Sequence, residues 1–258
     1  MQIKKLINFI FILSTFGLHS CGAYAGTFTH PIFPSISESV SDYILVQDYA
    51  IGYDSYTKTP AWVEYTVDKY TTVHTVPRKG RFASDRRLKR KDRAYTSWYR
   101  KSGYDRGHMA PAINFRYSKK AEKKTFIMTN VIPQRPAVNR GIWKSIENRV
   151  QKHGKSVGGV VVIAGPIFEG TVKLLHGKVH IPAACYKIIV SKDRSKVIAF
   201  IIPNVKAPKG YKLKDYAVGV DEIEKRTGID FFSTRSIAWQ AKHESIVAVR
   251  SDWPILLK

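Results

Sequence analysis

The chain has 258 residues, 44% of them hydrophobic, enough to build a sizeable core and to exclude an intrinsically disordered polymer. Lys and Arg number 43 against 20 Asp and Glu, a formal charge of +23. A field of that sign excludes polycations as partners and selects polyanions, meaning nucleic acid or an anionic membrane surface.

Residues 1–25 read as a secretory signal peptide rather than as part of the fold. MQIKK is a short basic start, and the apolar run LINFIFILSTFGL is short for a membrane span. AYA at 23–25 then offers small residues before a cleavage point. The expected location is exported, periplasmic or secreted, with no stable membrane span in the mature chain. LHSC at 18–21 leaves a second route open, acylation of Cys21 to give a lipoprotein. Cleavage after Ala25 leaves Cys185 without a disulfide partner, and inside the apolar IPAACYKIIV it is expected to be a buried, unreactive thiol. Residues 26–42, with Pro31 and Pro34 among serines and threonines, form an irregular lead-in. Residues 43–258 are expected to be a single domain.

Within that domain, ILVQDYAIGY (44–53) and AWVEYTV (61–67) read as two strands joined by DSYTKTP. Residues 78–106 carry 12 Lys and Arg against Asp85, Asp92 and Asp105. Tyr95, Trp98, Tyr99 and Tyr104 are interleaved with those cations, a mixture suited to meeting phosphates and bases together. KTFIMTNVIP (124–133) reads as a strand ending in a proline turn. NRGIWKSIENRVQKHG (139–154) reads as a helix with Asn139 as N-cap, Gly154 just past its end, and a buried stripe of Ile142, Ile146 and Val150. VGGVVVIAGPIF (157–168), KVHIPAACYKIIV (178–190) and KVIAFIIPN (196–204) read as strands, and LKDYAVGVDEIEKRTGI (213–229) as partly helical. Strands before and after helices, with few βαβ repeats, predict an α+β fold around a mixed or antiparallel central sheet flanked by helices.

The chemistry concentrates in SGYDRGHMAPAINF (102–115). Histidine suits general-base work because its pKa lies near neutrality. On an extended stretch Arg106 and His108 share one face, with Asp105 and Gly107 on the other. Gly107 removes a side chain and lets backbone or substrate approach. One face would then carry a phosphate-binding cation and a base.

YDRGHMAPAINF, followed by KTFIMTNVIPQ and VNRGIWKSIEN, resembles the DRGH-type DNA/RNA non-specific endonucleases, the group that includes mitochondrial endonuclease G and secreted bacterial nucleases. Flanking pieces match as well: PAWVEYTV, AGPIFEG, IPAACYKIIV and IEKRTGIDFF. The resemblance implies a ββα-metal (His-Me finger) core and a Mg²⁺ cofactor, with Mn²⁺ as a possible substitute. It implies DNA and RNA as substrates, 5′-phosphate products, and pairing into homodimers. It also implies roles: His108 as general base, Asn139 as the direct metal ligand, Glu147 touching the ion through water, and Arg106 and Asn130 on the phosphate. A further arginine is expected upstream, and PRKGRFASD offers both Arg78 and Arg81. The reading of charge alone leaves a non-catalytic nucleic-acid-binding protein as the alternative, and a nuclease restricted to RNA or to single strands as another.

Overall fold

A computed structural model describes residues 40–46 and 48–258. The expected signal peptide, the acylation site at Cys21 and most of the lead-in lie outside the described residues. No helix among the described residues is long and apolar enough to cross a membrane.

The elements follow in chain order. They are β1 (Asp42–Val46), β2 (Tyr49–Asp54), β3 (Thr59–Val67), β4 (Asp105–His108), α1 (Lys119–Lys124), β5 (Val131–Gln134), α2 (Trp143–Ser156), β6 (Val160–Ile167), β7 (Leu174–Leu175), β8 (Val179–His180), β9 (Ala184–Ser191), β10 (Val197–Pro203), β11 (Ala217–Val218), α3 (Val220–Thr227) and α4 (Ile237–His243). Seven strands form one sheet in the order β1-β2-β3-β6-β9-β10-β11, every neighbouring pair antiparallel. The expected α+β class with an antiparallel central sheet is what the chain adopts.

Both faces of the central strands are covered, which is why β6, β9 and β10 are nearly continuous apolar runs. Side chains alternate across a strand. In β6, Val162 and Ala164 enter the core shared with α2, whereas Ile163 and Ile167 enter the core shared with α3. In β9, Cys185 and Ile189 face the α2 side, and Tyr186, Ile188 and Val190 the other. The stripe of Ile142, Ile146 and Val150 is buried as its spacing predicts, with Trp143 beside it. Cys185 is fully buried, and burial pushes its thiol up to about 12, so it is inert as expected.

Several boundaries differ from the sequence reading. Residues 44–53 form two strands, because Val46 pairs with Tyr49 and the chain reverses between them. Of the expected 124–133 strand, only Val131–Pro133 lie in a strand, which continues to Gln134; before it come the end of α1, a single bridge from Ile127 to Ala83, and a short 3-10 turn over Met128–Asn130. The 178–190 strand is divided into β8 and β9 around Pro182. Gly154 is not the end of α2, which runs on to Ser156. It is instead the point of closest approach to the sheet: a Cβ there would lie 2.5 Å from the Val67 carbonyl oxygen.

Asn139 is not an N-cap either. It lies in an irregular π-type turn, Val138–Ile142, that leads into α2 through a break at Gly141 (φ −104°, ψ −109°). β4 and β5 pair antiparallel, His108 opposite Val131 and Asp105 opposite Gln134. Together with the turn and α2 they make the expected ββα unit, set against the edge of the core under β3.

Candidate active site

One cavity of about 630 Å³ opens over the β4–β5 pair and α2. Its wall contains Arg78, Phe82, Arg106, His108, Asn139 and Glu147. Five of the residues that the sequence singled out therefore meet in one place, although they span 70 positions of the chain.

His108 sits at the end of β4. Its ring is packed between Phe82 (centroids 5.0 Å apart) and Phe126 (4.9 Å, nearly perpendicular), and Trp143 donates its indole N–H to the His108 carbonyl at 3.3 Å. Only 8% of the residue is exposed, and Nε2 has no hydrogen-bond partner. Burial, with the Arg78 charge nearby, lowers its pKa to about 3. The imidazole is thus neutral and rigidly aimed, with a ring nitrogen uncommitted. Gly107 beside it is required by packing: a Cβ would lie 2.5 Å from Gln134 Oε1.

Arg106 is half committed. One Nη donates to the Thr96 carbonyl at 2.7 Å, the guanidinium lies between the Phe82 and Tyr99 rings (5.5 and 5.7 Å), and Nε is buried without a partner. The planar cation is held in place by aromatic faces while keeping donors free, an arrangement suited to a phosphate. Asp105 departs from strict alternation. Its carboxylate turns to the cavity side and accepts from Asn139 Nδ2 (2.9 Å) and from Arg140 Nε and Nη2 (2.8 and 2.7 Å). Burial opposes its charge, but the bonds from Arg140 and Asn139 win and hold it below the ordinary carboxylate range.

Arg78 and Arg81 differ in position. Arg78 lines the cavity, stacked 5.2 Å from the Phe126 ring; Arg81 does not line it. The loop is shaped by Glu122, a buried carboxylate of α1 that accepts the backbone N–H groups of Lys79 and Gly80 at 3.0 Å each. Gly80 itself faces the Phe126 ring so closely that no Cβ fits. Neither Glu122 nor its partnership was legible in the sequence, where it is one acid in a lysine-rich stretch.

Asn130, expected on the phosphate, is not on the cavity wall. It is fully buried and its amide is saturated: Nδ2 donates to the Ala110 and Thr125 carbonyls (both 2.9 Å), and Oδ1 accepts from Ala110 N–H (2.8 Å). It locks the segment just after His108 to the start of β5. Asn130→Ala strands three backbone groups and is expected to cost about 2–4 kcal/mol of stability. Urea denaturation measures this. An unchanged midpoint together with lost cleavage would return Asn130 to direct contact with substrate.

The oxygen donors fit a hydrated divalent cation. Asp105 can only accept, so Asn139 must present its N–H₂ to it, and Oδ1 is left as the donor atom for an ion. Glu147 lies further along α2, beyond the break at Gly141. It is half-exposed by area, yet its carboxyl is enclosed by protein, and burial pushes its pKa upward despite the Lys187, Arg78 and Lys144 charges. A carboxylate in that condition gains from a cation. Both candidate ligands are oxygens with no sulfur or imidazole between them, which suits Mg²⁺ or Mn²⁺.

Lys187 of β9 is a second charged residue that the sequence reading passed over. It is fully buried behind α2, donates to the Tyr65 hydroxyl at 3.2 Å, and lies 4.3 Å from the Trp143 ring. Burial lowers its pKa while Glu147 acts against that shift. A lone lysine in the apolar run ACYKIIV was the available signal.

The basic segment behaves less simply than its composition suggests. Leu88 anchors it in the core, Arg93 donates to the Leu88 and Arg86 carbonyls, and Tyr95 donates to the Arg90 carbonyl. Its aromatics are mostly structural: Tyr99 is buried, and Tyr95 packs on Trp98 at 5.0 Å. Of the four, Tyr104 alone lines the cavity, with Arg135 over its ring at 4.5 Å.

The chain is similar in sequence and fold to known nucleases. A nuclease of Nostoc sp. is 33% identical over 220 residues, covering 80% of this chain and 79% of that protein. The mitochondrial nuclease EXOG of Xenopus laevis is 29% identical over 217 residues, 78% of this chain but 60% of the Xenopus protein's own length. Human mitochondrial endonuclease G is 30% identical over 200 residues, 72% of this chain and 67% of that one. Among solved structures, a complex of EndoG with EndoGI superposes with a TM-score of 0.71 at 27% identity, covering 75% of this chain and 86% of that one. The family description "DNA/RNA non-specific endonuclease" matches residues 32–236. With that match spanning most of the sequence, and the ββα unit in place, the chain belongs to the DNA/RNA non-specific endonuclease family.

Proposed function

We propose that this protein is an exported, Mg²⁺-dependent endonuclease that hydrolyses phosphodiester bonds in both DNA and RNA. The observation that carries the reading is the convergence of His108, Arg78, Arg106, Asn139 and Glu147 on one cavity. The export component rests on the N-terminal sequence alone.

His108 holds the proton-accepting position. Its ring is neutral in the free protein and the residue lines the cavity, but Nε2 is uncommitted and shielded from solvent, so proton transfer to that atom requires substrate binding to bring a water against it. A pKa near 3 makes a weak base. An incoming phosphodiester brings negative charge to the ring, which raises that pKa toward the useful range. Arg78 and Arg106 bind the non-bridging oxygens and offset the charge that grows on the phosphorus centre. Asn139 and Glu147 would hold the hydrated Mg²⁺, Asn139 directly and Glu147 through water. When bound, the ion supplies positive charge to the leaving oxygen. Contacts of this kind fall on phosphate rather than base edges, which accounts for low sequence preference.

Plasmid DNA, single-stranded DNA and RNA incubated with the protein should all be cut in Mg²⁺ and spared in EDTA. Asn139→Ala should raise the Mg²⁺ concentration needed for half-maximal rate by about 10-fold or more. Undiminished cutting in EDTA would remove the metal from the reading. Binding without cutting under any divalent ion would favour the non-catalytic alternative.

A further inference from the structure

Away from the cavity, three carboxylates converge in a protein that otherwise carries a large excess of positive charge. Asp221 and Glu224 project from the first turns of α3, and Glu244 caps the C-terminus of α4. One oxygen from each lies within 4.8 Å of the others. None of the three lines the cavity with His108.

The convergence is built in, not accidental crowding of loose side chains. Asp221 N–H donates to the Glu244 carbonyl at 3.2 Å, pinning the two helix ends together. Gly219 permits that approach: a Cβ there would lie 2.7 Å from the Glu244 carbonyl oxygen and 3.1 Å from that of Ser245. Glu224 is oriented by accepting Phe231 N–H at 2.8 Å.

Glu244 is the observation that points to a ligand. It is only 6% exposed, and its Oε1 is buried with no hydrogen-bond partner. The charges that act on it are all negative: Glu224, Asp221 and Asp230. None of the three carboxylates takes part in an ion pair among the described residues. Burying an unpaired acceptor among like charges costs several kcal/mol or forces a proton onto it. Glu244 lies just beneath the surface, beside the exposed Asp221, so an ion has a short path to it.

We propose that Asp221, Glu224 and Glu244 form a second cation site, taking Ca²⁺, that ties the start of α3 to the end of α4. The donors are carboxylate oxygens, which select hard cations over zinc or copper. Three converging carboxylates suit Ca²⁺, which takes six to eight oxygens at about 2.3–2.6 Å in a flexible shell, better than Mg²⁺, which keeps several waters and is usually held by one or two carboxylates. Asp221 and water would complete the coordination from the solvent side. The ion's role is structural, because the site touches neither His108 nor Asn139.

Thermal unfolding of the full chain, and calorimetric titration with CaCl₂, test this. In the wild type, millimolar Ca²⁺ should raise the unfolding midpoint by several degrees over EDTA. Glu244→Gln, which removes one repelling charge, should unfold at or above the wild-type midpoint in EDTA and gain nothing from Ca²⁺. Asp221→Asn, an exposed change that leaves packing intact, should weaken the Ca²⁺ gain. Asn139→Ala should keep the full Ca²⁺ gain, since its ion site is separate. Nuclease rates of Glu244→Gln in Mg²⁺ should match the wild type. The absence of a Ca²⁺ shift and of titration heat in the wild type would overturn the site. So would a shift that survives both Glu244→Gln and Asp221→Asn, or one that disappears in Asn139→Ala.

Discussion

His108→Ala should lose cleavage by about 10²–10⁴-fold while binding nucleic acid as tightly as the wild type, the magnitude expected when a general base is removed. Binding is preserved because affinity rests on the cations around the cavity, Arg78 and Arg106, and on the wider positive field. Steady-state cleavage of a labelled duplex gives the rate, and fluorescence anisotropy of the same duplex in EDTA gives the affinity. Cleavage within a few-fold of wild type would remove His108 from the chemistry. The same variant carries a stability signature. The folded imidazole has a pKa of about 3, against 6.5 for the ordinary group. Below 6.5 the unfolded chain therefore binds a proton that the folded chain refuses, and stability is lost as pH falls from 6.5 toward 3. His108→Ala removes that component, so its stability should fall less steeply than the wild type's over that window. A histidine solvated alike in both states would leave the two slopes equal, so this measurement tests the burial of the ring, and the cleavage rate tests its role.

The parts of this fold that were legible in the sequence are those set by local pattern. The α2 stripe of Ile142, Ile146 and Val150 follows helical period, and the central strands are apolar because both sheet faces are covered. What failed were features decided by tertiary contacts. Gly154 looks like a helix stop, but its lack of a side chain is used against Val67, so the helix continues. Asn139 looks like an N-cap, but the π-type turn and the bond to Asp105 commit its amide elsewhere. Asn130 sits within the motif and is expected on the phosphate; its three backbone bonds to the residues around His108 were not legible there. Motif membership carried the right neighbourhood in each case, and only the partners of each polar atom revealed the role. Lys187 and Glu122 were missed for the converse reason. Each is a single charge in an unremarkable stretch, and its meaning lies in a partner 40 or more positions away.

Arg78→Ala should slow cleavage by about 10²–10³-fold, the range for removing one donor aimed at developing negative charge, whereas Arg81→Ala should stay within about 2-fold. The two residues are three positions apart on the same loop and share its charge, so a contribution from the general field would weaken both alike. A role in the site would separate them. Arg78 lies on the cavity wall and its charge acts on both His108 and Glu147; Arg81 is exposed and outside it. Both are surface side chains, so unfolding midpoints should be unchanged, which rules out collapse of the loop as the cause. Arg78→Lys sharpens the assignment. It keeps the positive charge but loses the planar fork and the stacking on Phe126 that fixes its direction. If Arg78 acts by aimed hydrogen bonds to a phosphate, the lysine variant should recover only a small part of the lost rate. Full recovery by lysine would mean that charge alone is needed there. Loss in Arg81→Ala with Arg78→Ala fully active would transfer the role to Arg81, and would require the loop to turn over when substrate binds, against the two bonds that Glu122 makes to its backbone.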